Sequence, residues 1–178
     1  MITKTSDIQE LNKIVRNQII EQSELEPNQV MNGVSIHGQD LLTAINKYAY
    51  RSYDLKDSFI VFKLNSRESS SDMSQTKENG QIKYIASYAI QLSIYGLSAQ
   101  TLANKIVARF RTEYARLQLQ EQGVYLENIS RPTTSNDFIN DTLMIRCEVY
   151  INISVEMTIE QVSQPYDMEL NDIIVEEI

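Results

Sequence analysis

The chain of 178 residues has no tryptophan, one cysteine and one histidine. A lone thiol, Cys147, excludes an intramolecular disulfide framework and a cysteine zinc cluster. No apolar run approaches the roughly 20 residues that cross a bilayer as a helix. The opening residues, Met1 to Glu10, lack an apolar core, which predicts no secretory signal and a chain that stays in a reducing cytoplasm. Basic charge is scarce: 16 Lys and Arg stand against 24 Asp and Glu, for a formal net charge of −8 and a pI of about 4.7. That balance argues against a protein that clamps nucleic acid by neutralising phosphates. No segment of about 20–50 residues repeats, which argues against a solenoid or propeller.

Catalytic motifs are missing too. Gly96-Leu97-Ser98 follows a strand and opens a helix, as a nucleophile elbow does, but Gln100 stands where the second glycine of G-x-S-x-G belongs. Ser98 reads as a helix cap. Neither G-x-x-x-x-G-K-[ST] nor G-x-G-x-x-G occurs, so no phosphate cradle is expected. His37 and Asp40 are two ligands of a common type, too few for a metal site. No catalytic residue, cofactor or metal is expected.

What is present is organised around residues 81–122. Even positions from 82 to 94 carry Ile82, Tyr84, Ala86, Tyr88, Ile90, Leu92 and Ile94. The odd positions are mostly polar, with Ile85, Ala89 and Tyr95 as exceptions. Side chains alternate along a strand, so 81–95 reads as a strand with one apolar face. Gly96 breaks it. A helix over 98–122 follows, with Leu102, Ile106, Phe110, Tyr114 and Leu117 forming its apolar stripe and Gly123 ending it. Lys105, Arg109 and Arg116 lie on one flank, read either as a solvated face or as a surface for an acidic neighbour.

The remaining elements are a helix over 7–22 (stripe Ile8, Leu11, Val15 and Ile19, widened by Ile14), a short extended piece near 28–34, a short helix over 39–49, and strands over 58–64, 124–130 and 143–158. The run 58–64 is apolar enough for burial on both faces. The last strand places Leu143, Ile145, Cys147, Val149, Ile151, Ile153, Val155 and Met157 on one face, so Cys147 is expected as a buried structural thiol. Arg131 to Asp137 reads as a turn-rich exit. Residues 66–80 are serine-rich with only Met73 to bury. A solvated hairpin tip and a loop ordered by a neighbouring subunit both remain open there. Two strands of about 15 residues are long against the usual five or six. They bend, or they project and need partners at their edges.

From Glu160 on the chain has six acidic residues and no basic one, yet it carries Ile173-Ile174-Val175 near its end. That pattern suits an arm that docks on its own domain or on a neighbour. The expected fold is therefore α+β, with one domain over 1–159 and an acidic arm over 160–178. A mostly antiparallel sheet of about four strands carries two amphipathic helices on one face.

The run Tyr88-Ala89-Ile90-Gln91-Leu92-Ser93-Ile94-Tyr95-Gly96-Leu97-Ser98-Ala99 resembles the strand-to-helix signature of bacteriophage neck and tail terminator proteins. The order of elements is similar over roughly residues 5–158, including Gly123-Val124, the Pro132 turn and Arg146. The serine-rich loop and the acidic tail lie outside it. The resemblance implies a structural virion protein, not an enzyme. It implies a homomeric ring, usually a hexamer, that caps the tail tube and joins it to the head connector. Its partners would be tail tube, sheath and neck proteins, in the virion and in host cytoplasm during assembly, with DNA passing through the lumen unbound. Lys105, Arg109, Arg116, Ile173, Ile174 and Val175 are then the expected subunit interface. Another joining, tail-completion or baseplate protein, and a cytosolic binding module or enzyme, are the alternatives.

Overall fold

The structure is a computed structural model that describes residues 8–33, 43, 54–67, 76–78, 81–139 and 142–160. Its centre is the pairing of β4 (Gln81–Tyr95) with β7 (Thr142–Glu160). The two run antiparallel without a break from Gln81 opposite Glu160 to Tyr95 opposite Arg146. β2 (Phe59–Arg67) pairs antiparallel with the other side of β4, and β1 (Val30–Asn32) adds parallel to β2. β5 (Val124–Ile129) and β6 (Thr133–Ile139) both lie along the outer side of β7, and β3 (Thr76–Glu78) pairs with the start of β4. Among the described residues the sheet has seven strands rather than four, and it is mixed only through β1.

One face of the sheet is the core. In register across it stand Val30, Ile60, Ile94 and Cys147, then Phe62, Leu92 and Val149, then Ile90 and Ile151, all buried. Tyr84, Ala86 and Tyr88 are half-buried and continue the same face. The alternation read in the sequence thus holds from Tyr84 to Ile94 and from Ile145 to Met157, while Met144 on the other face is buried as well. Among the described residues, three helices pack on this face. α1 (Ile8–Ser23) buries Leu11, Val15 and Ile19, while Ile8, at its first position and expected in the same stripe, is exposed; α2 (Ala99–Phe110) buries Leu102, Ala103, Ile106 and Phe110. α3 (Glu113–Glu121) buries only Ala115 and Leu119.

The expected single helix over 98–122 is therefore two helices. Arg111 ends the first, and Thr112 in extended conformation caps the second by accepting the Ala115 N–H. The break shifts the helical phase. Tyr114 and Leu117, read as the continuation of the apolar stripe, point to solvent at 64% and 51% exposure. Ser98 takes the N-cap position as expected, but its side chain makes no capping bond; its carbonyl accepts the Leu102 N–H at 2.9 Å.

Other differences are local. Strand 58–64 is buried on both faces only at Phe59 and Ile60, since Lys63 is exposed. The turn-rich exit at 131–137 is mostly strand β6, held by the partner surface of β7. The serine-rich stretch contains strand positions at both ends, with β2 reaching Arg67 and β3 at Thr76–Glu78. The helix expected over 39–49 falls outside the described residues but for Thr43, and so do His37, Asp40 and the tail from 161.

Candidate functional site

Gly96 joins β4 to α2. Its φ is +132°, a conformation that side chains disfavour. A Cβ there would meet Ser58 Oγ at 2.9 Å and Ser58 Cα at 3.2 Å. The Tyr-Gly-x-Ser-Ala junction thus has a physical cause: β4 must turn into α2 while passing hard against the start of β2. Tyr95, the parity exception, faces away from the helices and stacks on Phe59 with ring centroids 4.9 Å apart. Burial pushes the Tyr95 phenol up, opposed by its hydrogen bond with Arg146. Arg146 also pairs with Asp137 at 2.9 Å and approaches Glu148 at 3.6 Å. Gln91 donates to Glu148 at 3.2 Å. This polar cluster on the helix-free face fixes the junction from behind, and only the broken parity at Tyr95 signalled it in the sequence.

Cys147 is fully buried on the helix side. Burial pushes its thiol up, with a hydrogen bond from Thr134 opposing. It packs in the core as expected from its place on the apolar face of the strand.

Of the expected interface residues, Lys105 and Arg109 meet within the subunit. Both hold Glu24, which follows α1: Lys105 Nζ lies 2.6 Å from Glu24 Oε2, and Arg109 pairs with Glu24 Oε1. Arg109 also donates to the Gln22 carbonyl at 3.2 Å. Glu24 has φ +60°, the one non-glycine positive φ among the described residues. The two cations therefore clamp the end of α1 to α2, and one carboxylate neutralises half of their charge. Arg116 stands exposed on α3, beyond the helix break. Ile173, Ile174 and Val175 lie outside the described residues.

The clamp has a pH signature. Hydrogen bonds from Lys105 and then Arg109 hold the Glu24 carboxyl at about 2, against an ordinary 4.5. A carboxylate with a depressed value stabilises the fold above its unfolded value and loses that contribution as pH falls through the folded one. Wild-type protein and Glu24→Gln should therefore differ in unfolding stability at neutral pH. The difference should shrink as pH falls from about 4.5 to about 2. Denaturant titrations of both proteins at several pH values check this, and a pH-independent difference would contradict it.

The opposite face of the sheet carries no helix among the described residues. Its floor is small and polar: Ser87, Ala89, Gln91 and Ser93 on β4, with Asn152 and Ser154 on β7, all half-buried. Ile85, Tyr125 and Tyr150 are exposed at its rim. Arg67 reaches across to Glu127 at 3.6 Å. No group of three or more His, Cys, Asp or Glu that could hold a metal occurs among the described residues. No described helix is long and apolar enough to cross a membrane.

No curated protein matches the chain at a significant level. The family pattern of phage neck terminator proteins matches residues 9–175. That range takes in the serine-rich loop and most of the acidic tail, both outside the likeness read from the sequence. The match spans nearly the whole chain, so this α+β protein, with its Tyr-Gly strand-to-helix junction, belongs to the phage neck terminator protein family.

Proposed function

We propose that the protein is a structural subunit of a homomeric ring, a hexamer, that closes the tail tube of a tailed phage and joins it to the head connector. The observation that carries this reading is the family match over residues 9–175. Membership makes the protein a virion component with neck and tail proteins as neighbours. The ring is supported by surfaces that differ from one another: a helix-covered face, a helix-free face and an acidic arm. Unlike surfaces meet head to tail, and rotation closes such contacts into a ring. The helix-free face, with its small uncharged floor, suits a lumen through which DNA slides. Lys63, Arg67 and Arg146 stand on the same face, and Arg67 and Arg146 are paired with carboxylates, which weakens their hold on phosphates. The ring assembles in host cytoplasm and has no turnover of its own.

Residues 160–178 form the inter-subunit arm in this reading, with Ile173, Ile174 and Val175 as its apolar anchor. Lys105, Arg109 and Arg116 contribute less. Glu24 already occupies the first two, and exposed pairs are worth about 0.2–1 kcal/mol. A fully buried aliphatic side chain is worth roughly 1.5–3 kcal/mol. Deleting 161–178 should therefore raise the subunit concentration needed for ring formation, and by more than charge reversal at Arg116 does. Negative-stain images of wild-type and truncated protein, alone and with isolated tail tubes, test both points. Rings and capped tubes are expected for the wild type. Equal capping by the truncated chain would remove the arm from the account.

A further inference from the structure

Among the described residues, one edge of the sheet carries no strand over part of its length. β2 runs from Phe59 to Arg67, but β1 pairs with it only at Ile60, Val61 and Phe62. Gly33 adds one contact, its N–H donating to the Phe62 carbonyl at 2.7 Å, and it lies against the Lys63 side chain. From Leu64 to Arg67 no strand lies on the outer side of β2 among the described residues. The inner side stays in register with β4 through Arg67, without a bulge. A regular open edge is a template for another strand.

The side chains on this edge form a pattern. Lys63, Asn65 and Arg67 are exposed on the helix-free face, with the two cations four residues apart. Leu64 is half-buried and packs on the helix-side core. The segment Asp172-Ile173-Ile174-Val175-Glu176 is the complement. Its two acids also stand four apart, and the three residues between them are β-branched strand formers. Alternation puts Asp172, Ile174 and Glu176 on one face and Ile173 and Val175 on the other. Centred on Asn65 in either direction, the acids meet Lys63 and Arg67. Ile173 and Val175 then lie beside Leu64 and Ser66, at the border of the core. A slip of one residue would carry both acids to the Leu64 side, so the pattern selects its own register.

We propose that Asp172–Glu176 of a neighbouring subunit adds a strand to the free edge of β2. The inference rests on the ring reading and gives the arm its docking place. β7 ends at Glu160, opposite the start of β4. Residues 161–171 then span at most about 40 Å. To reach β2 in its own subunit the arm would have to cross β4 and β3, which flank that end of the sheet. The Arg67–Glu127 pair, at 3.6 Å and largely exposed, is weak enough to yield to the incoming acids.

Cysteine pairing tests this, because native Cys147 is buried and stays silent. One chain carries Asn65→Cys and a second carries Ile174→Cys, and the two are mixed and oxidised. A disulfide-linked dimer is expected on a non-reducing gel. It should be lost when Ser66→Cys replaces Asn65→Cys, since that side chain faces the other way. Both changes in one chain should give a ladder of covalent multimers. Rings of full mass by light scattering without the cross-link would overturn the docking place and leave the ring reading intact. A cross-link confined to single chains would overturn delivery by a neighbour. A chain that stays monomeric, even with tail tubes present, would remove the ring reading and this inference with it.

Discussion

Replacing Gly96 by alanine is expected to destabilise the fold more than any other single-methyl addition at the strand-to-helix junction. Two costs combine. The backbone at φ +132° is one that a Cβ disfavours, at about 1–3 kcal/mol. The new Cβ also presses on Ser58, whose Cα is backbone and cannot turn away, at 3.2 Å. Overpacking of that kind costs about 1–3 kcal/mol more. In a chain of this size each kcal/mol lowers the melting temperature by about 2–4 °C. The double variant with Ser58→Ala separates the terms. Ser58 Oγ is buried and has no hydrogen-bond partner among the described residues, so Ser58→Ala alone should be neutral or slightly stabilising. It should also recover part of the Gly96→Ala loss, the part due to Oγ. Thermal melts of the two single variants and the double variant check this. Full recovery would mean that the backbone conformation contributes nothing, which the account does not allow.

The second large effect is a contrast between two residues that the sequence places in one stripe. Ile106→Ala should cost about 2–5 kcal/mol, because it opens a cavity beneath a fully buried side chain. Leu117→Ala should change stability by less than about 0.5 kcal/mol, because Leu117 is 51% exposed. Periodicity alone predicts similar losses at both sites. Urea unfolding of the two variants decides the matter. A comparable loss at Leu117 in dilute, unassembled protein would mean that α2 and α3 form one continuous helix after all.

The strands were legible because their signal is local. Alternation in 81–95 and 143–158 names the core residues almost one by one, since a single buried face repeats every second position. Gly96 was legible as a break, though not as a contact with Ser58, which is far away in the chain. The helix break at Arg111–Thr112 was missed because the apolar spacing carries on through it. The one local hint was Thr112 ahead of Glu113, a capping residue before an acidic first turn. The extended piece near 28–34 was legible and contains β1, whereas β3 and β6 are short, polar or next to Pro132, and only a partner strand holds them extended. No periodicity could have shown them. The basic flank was legible as charge but not as a clamp, because its partner Glu24 sits 81 residues before Lys105. The edge at Leu64–Arg67, which no described strand covers, was invisible for a similar reason: it depends on which residues β1 pairs with.

The central claim is that the subunit closes into a ring. Multi-angle light scattering of the purified chain across a wide range of concentration tests it most directly. The account predicts one discrete multiple of the 20.5 kDa subunit, reached at modest concentration and unchanged above it, since a closed ring has no free end to extend. A mass that stays monomeric throughout, even after isolated tail tubes are added, or one that climbs without limit, would contradict it.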